Sequence, residues 1–296
     1  MIYLASFSKK ALLAYHNLHP HEKLNVLVSF GRLEKDNAEF LFKHRHMLNS
    51  VVLDSGVWTL NLNPEKYRDR ITLRGYQAYL QQLGGHFDFY FNFDEVMSED
   101  GFDQNYDNQL LLETAGLKPV PVVHDSYGPE VQLYIDRGYD LVALGSSEIR
   151  DADVYELNRI VDKFYSRGIK VHLLGSTDYT KLSCLPVYSC DSSTWNHAGS
   201  RGHVIYWNPD KPSNDKTDLV CFDVKRLKRL QRNPIESYPQ RFELESYLEQ
   251  TFGYSPDRLT GPQGWFYRQI VNIHYFVQLE KRIATKHREL GYSFWT

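Results

Sequence analysis

The chain has little cysteine, little net charge and no long apolar run, and each shortage removes a class of protein. Three cysteines in 296 residues, Cys184, Cys190 and Cys221, are too few and too scattered for a disulfide framework or a four-cysteine zinc site. They suit a reducing compartment. No stretch approaches the roughly 20 apolar residues that a spanning helix needs. Met1 to Ser8 also lacks the basic flank and apolar core of an export signal. The expectation is a soluble, cytoplasmic protein with no membrane partner. A formal net charge of −3 makes the whole molecule no bulk polyanion binder, so any nucleic acid would need a local basic groove. No internal repeat or biased tract is present, and no low-complexity linker sets off the C-terminal part as a separate domain.

What is present is a globular composition, 42% hydrophobic and 24% charged, long enough to bury a large core. Aromatics reach 14%, first read as packing and second as stacking surfaces for bases or sugars. Short apolar, β-branched runs alternate with helical patterns from about residue 24 to 210. Candidate strands are 25–30, 51–54, 87–94, 120–124, 141–145, 170–175, 187–191 and 204–207. Candidate helices between them are 36–46, 74–83, 104–115, 129–137 and 152–166, with a short turn near 179–182. Strands apolar on both faces and separated by helices indicate a parallel sheet with crossovers. Eight of them in a chain of this size predict an α/β fold, a (β/α)8 TIM-like barrel over residues 1–210. Residues 211–296 read as a C-terminal helical extension packed on the barrel. No Gly-x-Gly-x-x-Gly follows the first strand, which weakens a dinucleotide-binding alternative. Gly84-Gly85, Gly116, Gly138 and Gly168 fall where left-handed glycines end helices.

Parallel barrels gather reacting groups at the C-terminal ends of their strands. Those ends carry Asp54-Ser55-Gly56, Asp94-Glu95, His124-Asp125, Gly145-Ser146-Ser147-Glu148, Gly175-Ser176-Thr177-Asp178 and Asp191-Ser192-Ser193-Thr194-Trp195. A lone Asp there is best read as a helix N-cap. Asp54 and Asp191 together, each followed by Ser, are best read as a working pair: one carboxylate attacks an anomeric carbon while the other manages the leaving group's proton.

With these residues in place, the chain resembles the tRNA-guanine transglycosylase superfamily. Val52-Leu53-Asp54-Ser55-Gly56 is similar to that family's Asp-Ser-Gly strand end. Phe91-Asn92-Phe93-Asp94-Glu95 is similar to its base-recognition segment. Leu141-Val142-Ala143-Leu144-Gly145 and Val171-His172-Leu173-Leu174-Gly175 match its next glycine-ended strands in order. Tyr188-Ser189-Cys190-Asp191-Ser192 stands at its nucleophile. The resemblance covers about residues 50 to 195. It implies that Asp191 attacks C1′ of a guanosine nucleotide and holds the sugar covalently. Asp54 then serves as acid and base, and Asp94 accepts from guanine N1–H and N2–H₂. Ser55, Gly56, Glu95, Gly145, Ser146, His172, Gly175 and Trp195 complete the substrate site. Trp58 and Tyr90 are further stacking candidates.

Departures from the family pattern direct the substrate. Asp-Ser-Gly-Gly becomes Asp-Ser-Gly-Val, Pro-Thr-Arg after the nucleophile becomes Ser-Ser-Thr-Trp, and no Cys-rich zinc site follows Cys221. No metal and no cofactor are therefore expected. These differences resemble the DNA-acting branch (DpdA type), which implies exchange of guanine in DNA for a 7-deazaguanine base such as preQ0. They also imply a bacterial or phage-infected host cell and partner proteins of a DNA-modification system. An RNA-acting transglycosylase, a non-catalytic nucleic-acid-binding barrel and a metal-dependent barrel hydrolase are the alternatives.

The run carrying Lys225, Arg226, Lys228 and Arg229 is either a solvated helix face or a phosphate-contacting patch. Arg201, Lys211 and Lys216 would join that patch, and Arg268, Lys281, Arg282, Lys286 and Arg288 would extend it. His44 and His46 close a helical pattern, where cations complement the helix dipole, rather than forming a metal site. His172, inside a strand, reads as a hydrogen-bonded pocket residue.

Overall fold

The structure, a computed structural model, describes residues 1–95, 101–145, 149, 151–223, 232–292 and 294. Eight strands form one sheet: β1 (Ile2–Leu4), β2 (Leu24–Ser29), β3 (Leu48–Asp54), β4 (Phe89–Tyr90), β5 (Val122–Val123), β6 (Leu141–Leu144), β7 (Lys170–Leu173) and β8 (Ser189–Ser192). Their order is β4-β3-β2-β1-β8-β7-β6-β5, and each ladder is parallel. The sheet is curled. Its end strands meet at a single bridge between Phe91 and Val120, where Asn92 N donates to Val120 O (2.9 Å) and Val120 N to Tyr90 O (2.8 Å). A continuous ladder does not run along that seam, so the expected barrel is met as an eight-stranded curled parallel sheet with crossover helices.

The strand count matches the sequence reading, but two identities change. Ile2–Leu4 is the first strand of the sheet, although three residues carry too little periodicity to mark it. The run expected as the eighth strand is instead β9 (His203–Trp207), paired antiparallel with β10 (Thr217–Cys221) in a separate hairpin. An apolar run cannot itself tell a parallel partner from a hairpin partner. The segment between β9 and β10, which contains the 210/211 boundary, is the hairpin's connection.

Crossover helices are α1 (Lys9–Leu18), α2 (Lys35–Lys43), α5 (Leu73–Leu83), α6 (Phe102–Thr114), α7 (Glu130–Arg137), α8 (Val154–Tyr165) and α9 (Tyr179–Cys184), with short α3 (Val57–Leu62) and α4 (Pro64–Tyr67) after β3. Local chemistry sets their ends. Asp153 accepts from Glu156 N at 2.9 Å, and the Glu156 carboxylate returns to Asp153 N, a capping box that starts α8. Gly138 closes α7 in the left-handed region, as do Gly116 and Gly168 after their helices; Gly84 does not, with φ −55° inside a tight turn. His44 caps α2 with Nδ1 at 2.9 Å from Phe40 O.

After β8 come α10 (Thr194–Ser200), the hairpin, α11 (Arg241–Phe252), α12 (Pro256–Thr260) and the 27-residue α13 (Gly264–Leu290). Helix α13 packs on α1, α9, α10, β1 and β9. It lies against the helix that follows β1 and the one that precedes β8. Buried Asn272 anchors it: Oδ1 accepts from Ile205 N (2.7 Å), and Nδ2 donates to Trp195 O (3.1 Å) and His203 O (3.2 Å). Farther along the helix Glu280 accepts from Ile2 N (2.7 Å) and Asn25 Nδ2 (3.0 Å). No helix among the described residues is long and apolar enough to cross a membrane.

Inside the curl lies a small apolar layer of Tyr3, Leu27, Val52, Phe91, Val120, Val122 and Ala143. The larger core fills the space between sheet and helices. This division identifies which strand residues point inward, and so which polar groups reach the rim.

Candidate active site

Side chains on a strand alternate between faces, and paired residues of parallel neighbours share a face. Val52 points inward, so Asp54, two residues on and last in β3, does too. Tyr3 points inward and pairs in register with Asp191, which places Asp191 on the same face. Both carboxylates therefore stand inside the C-terminal end of the sheet, one on the third strand and one on the eighth.

Asp191 is held from below. Its Oδ1 accepts from Gly175 N (2.9 Å) and His172 Nε2 (3.3 Å), while His172 Nδ1 meets Ser189 Oγ (2.8 Å). A carboxylate accepts only, so Nε2 carries the proton and Ser189 donates to Nδ1. Full burial pushes the imidazole's pKa down, against the opposing pull of Asp191, which favours this neutral tautomer. Tyr3, Phe89 and Phe91 surround the ring at centroid distances of 5.9, 6.1 and 4.9 Å. Among the described residues no hydrogen bond reaches Asp191 Oδ2.

Asp54 accepts from Gly56 N at 3.0 Å through Oδ2. Gly56 takes φ +86°, a left-handed conformation that a side chain would strain, to turn its N–H back onto the carboxylate. Burial raises the Asp54 pKa to about 6; the nearby Ser29 hydroxyl pulls it down and the charge of Asp191 pushes it up. Burial thus suits the Asp54 carboxyl to exchange a proton near neutral pH. No model of a known family matches the chain, and no characterised protein matches it either.

A third acid joins them. Asp94 is buried, accepts from Asn92 Nδ2 (2.7 Å), and has its pKa raised to about 6 chiefly by burial, with His124 lowering it and Glu130 and Asp54 raising it. Asn92 is itself fixed by donating to Asn105 O at 2.8 Å. His124 lies 3.6 Å through Nδ1 from Glu130 Oε1, both side chains being almost wholly buried. Glu130 Oε2 is pinned by His124 N (2.5 Å) and Asp125 N (2.8 Å). Burial works against the charge on His124, yet its acidic neighbours leave its pKa raised.

The structure thus brings Asp54, Asp94, Asp191 and His172 to one rim, with Gly56 and Gly175 giving their N–H groups to the carboxylates. Gly145, directly after β6, has no room for a side chain: a Cβ there would stand 2.6 Å from Val122 Cγ1 and 2.9 Å from Leu174 Cδ1. Ser55 is buried and Glu95 is exposed. Trp195, expected to stack on the base, is a core residue: it is fully buried and its Nε1 donates to Ala5 O at 2.5 Å. Tyr90 alternates outward from Phe91, and its hydroxyl accepts from Lys118 N (2.8 Å). Trp58, 55% exposed at the start of α3, presents its ring to solvent.

The expected phosphate track is only partly available. Ser146, Lys225, Arg226, Lys228 and Arg229 lie outside the described residues. Arg201 is exposed just after α10. Lys211 pairs with Asp218 at 3.2 Å, Lys281 with Glu22 at 2.5 Å and Lys286 with Glu289 at 2.9 Å. Arg268 is buried and donates to Gly199 O (2.9 Å), a structural role that removes it from any surface track. Among the described residues no three His, Cys, Asp or Glu side chains are grouped to hold a metal ion. His124 is marked in the sequence only as a strand-end residue, and Glu130 and Ser29 escape the reading: single polar residues at strand and helix ends give no spacing signal, and only the fold brings them near Asp94 and Asp54.

Proposed function

We propose that the protein exchanges a guanine base in nucleic acid through a covalent sugar–enzyme intermediate, on a TIM-like barrel. The observation that carries this reading is the Asp54–Asp191 pair, two acids on one face of the sheet at one rim, each held by a backbone N–H. Asp191 Oδ2 attacks C1′ as the C1′–N9 bond breaks, its other oxygen held by His172 and Gly175. Asp54 gives a proton to the departing guanine, then takes one from the incoming base, whose ring nitrogen displaces Asp191 from C1′. Protons and charge balance over the cycle, so no cofactor is required. Asp94 accepts from N1–H and N2–H₂ of the base.

DNA as the polymer, and a 7-deazaguanine such as preQ0 as the incoming base, rest on the resemblance and the departures described above. A duplex target would have to be flipped out of its stack. The test is incubation with labelled preQ0 and either guanine-containing DNA or tRNA. Label in DNA, with a denaturant-stable enzyme–DNA adduct that Asp191→Asn abolishes, is the expected result. Label in RNA alone reassigns the polymer. No label in either, with Asp191→Ala binding nucleic acid like the wild type, overturns base exchange.

A further inference from the structure

From the strand of Asp54 to the strand of Asp191 the sheet runs β3-β2-β1-β8, so the ends of β2 and β1 occupy the rim between the two acids. Those two ends carry cations. Arg32 closes the tight turn 30–32 that follows β2, and Lys9 and Lys10 open α1, which follows β1. The Arg32 turn is fixed against the Asp54 loop. Ser29 pairs in register with Asp54, a Cβ on Gly56 would stand 3.0 Å from Gly31 N, and α3 packs on residues 30–32. Phe30 anchors the turn, its ring 5.4 Å from that of Tyr76 and 5.3 Å from that of Tyr79. On the α1 side, Phe40 of α2 meets the Phe7 ring at 5.8 Å and the Lys9 ammonium at 5.9 Å.

The fold does not use this charge. Arg32 is exposed and makes no ion pair or hydrogen bond among the described residues, even with Glu34 and Asp36 close by in sequence. Lys10 is exposed as well, and the first turn of α1, where a cation opposes the helix dipole, holds no acid. The Arg32 charge acts along the rim. It joins burial and Arg201 in lowering the pKa of His197 in α10, and it tempers the rise that burial gives Asp54. By contrast Lys211, Lys281 and Lys286 are held in ion pairs and Arg268 is buried.

We propose that this basic edge, Arg32 with Lys9 and Lys10 beside it, binds backbone phosphate of the nucleic-acid strand whose target nucleotide reaches Asp54 and Asp191. This rests on the base-exchange reading and says how the strand is held at the rim. Three rim acids repel a polyanion. A guanidinium on the strand next to Asp54 offsets that repulsion and meets phosphate through two parallel N–H groups.

The experiment is equilibrium binding, over a range of salt, of a single-stranded oligodeoxynucleotide holding one guanine, of 5′-dGMP and of deoxyguanosine. The proteins are the full-length wild type, Arg32→Gln, Arg32→Lys, the Lys9→Gln, Lys10→Gln double variant and Lys23→Gln, an exposed lysine at the opposite end of β2, with thermal unfolding of each as the folding control. Arg32→Gln should weaken oligonucleotide binding by about 10- to 100-fold, the worth of one charge-assisted contact, and lower the salt slope by about 1. Deoxyguanosine, which has no phosphate, should bind unchanged, and Lys23→Gln should match the wild type. Arg32→Lys should keep the slope and lose part of the affinity. A loss shared by 5′-dGMP assigns the contact to the target nucleotide's own phosphate, and a loss with the oligonucleotide alone assigns it to a flanking one. A loss with 5′-dGMP alone overturns the proposal in favour of a free nucleotide. Wild-type affinity and slope in a folded Arg32→Gln, or an equal loss for deoxyguanosine, also overturns it, and wild-type behaviour of the double variant strikes the two lysines from it. Base exchange is scored separately with labelled preQ0. Arg32-dependent binding without label transfer sinks the exchange reading and leaves the basic edge standing, and transfer unaffected by Arg32→Gln does the reverse.

Discussion

Replacing Asp54 by Asn should make the protein more stable at neutral pH while ending the proposed base exchange. The carboxyl is tuned by burial to a pKa of about 6 from an ordinary 3.8. A group whose proton affinity is higher when folded stabilises the fold in its protonated form. That contribution is complete below 3.8 and is lost as pH rises through about 6, so above pH 6 the wild type holds a charge it would prefer to leave in water. At ~1.4 kcal/mol per tenfold change in proton affinity the ceiling is about 3 kcal/mol. Solvent at the half-open rim reduces it to about 2 kcal/mol, worth about 4 °C in the unfolding midpoint. Asn is the right probe because its amide oxygen still accepts from Gly56 N. The assay is thermal unfolding of both proteins from about pH 4 to 8, alongside base exchange. The advantage of the Asp54→Asn variant should be absent near pH 4, grow to pH 6 and stay level above it. An increment equal at pH 4 and 8, or none at pH 8, refutes the claim that Asp54 is held in a charge-disfavouring site.

Three further outcomes follow from the same geometry. His172→Phe keeps the ring among Tyr3, Phe89 and Phe91 but removes a donor to Asp191; single-turnover exchange should slow about 100-fold with nucleic-acid affinity unchanged, and an unchanged rate would dismiss His172 as a positioning group. Gly145→Ala drives a methyl into Val122 and Leu174, so chemical denaturation should register a loss of about 1–3 kcal/mol; wild-type stability would mean the wall can yield. His274 has the opposite sign to Asp54. Buried beside His19, with its pKa lowered to about 4, it contributes stability that is present above 6.5 and lost as pH falls through about 4. His274→Gln should flatten the acid side of the unfolding profile, and an unaltered profile would show that the imidazole pair at the α1–α13 contact does not govern it.

How much was legible in the sequence depends on the range of the interaction. Alternating β-branched runs and helical patterns are local, so the parallel α/β class, the Asp153–Glu156 start of α8 and the left-handed Gly138 could be read directly. Asp54, Asp94 and Asp191 could be singled out because a strand ending in an acid is a local event. The identity of β1 and the hairpin partner of Val204–Trp207 could not, because pairing is decided by residues far away in the chain. The same holds for Trp195. Its ring looked available beside Asp191, but the Ala5 carbonyl, distant in sequence and near in space, takes its N–H and seals it in the core.

By itself, the sequence determined the periodicities, the turn residues and the acids that close each strand, since these express backbone and side-chain preferences over a few residues. Only the tertiary structure decided which acids share one space and what lies behind them. Coulomb interactions and desolvation depend on distance through the fold, so the coupling of Asp54 to Asp191, the support of Asp191 by His172 and the pairing of His124 with Glu130 arise only once the sheet has curled.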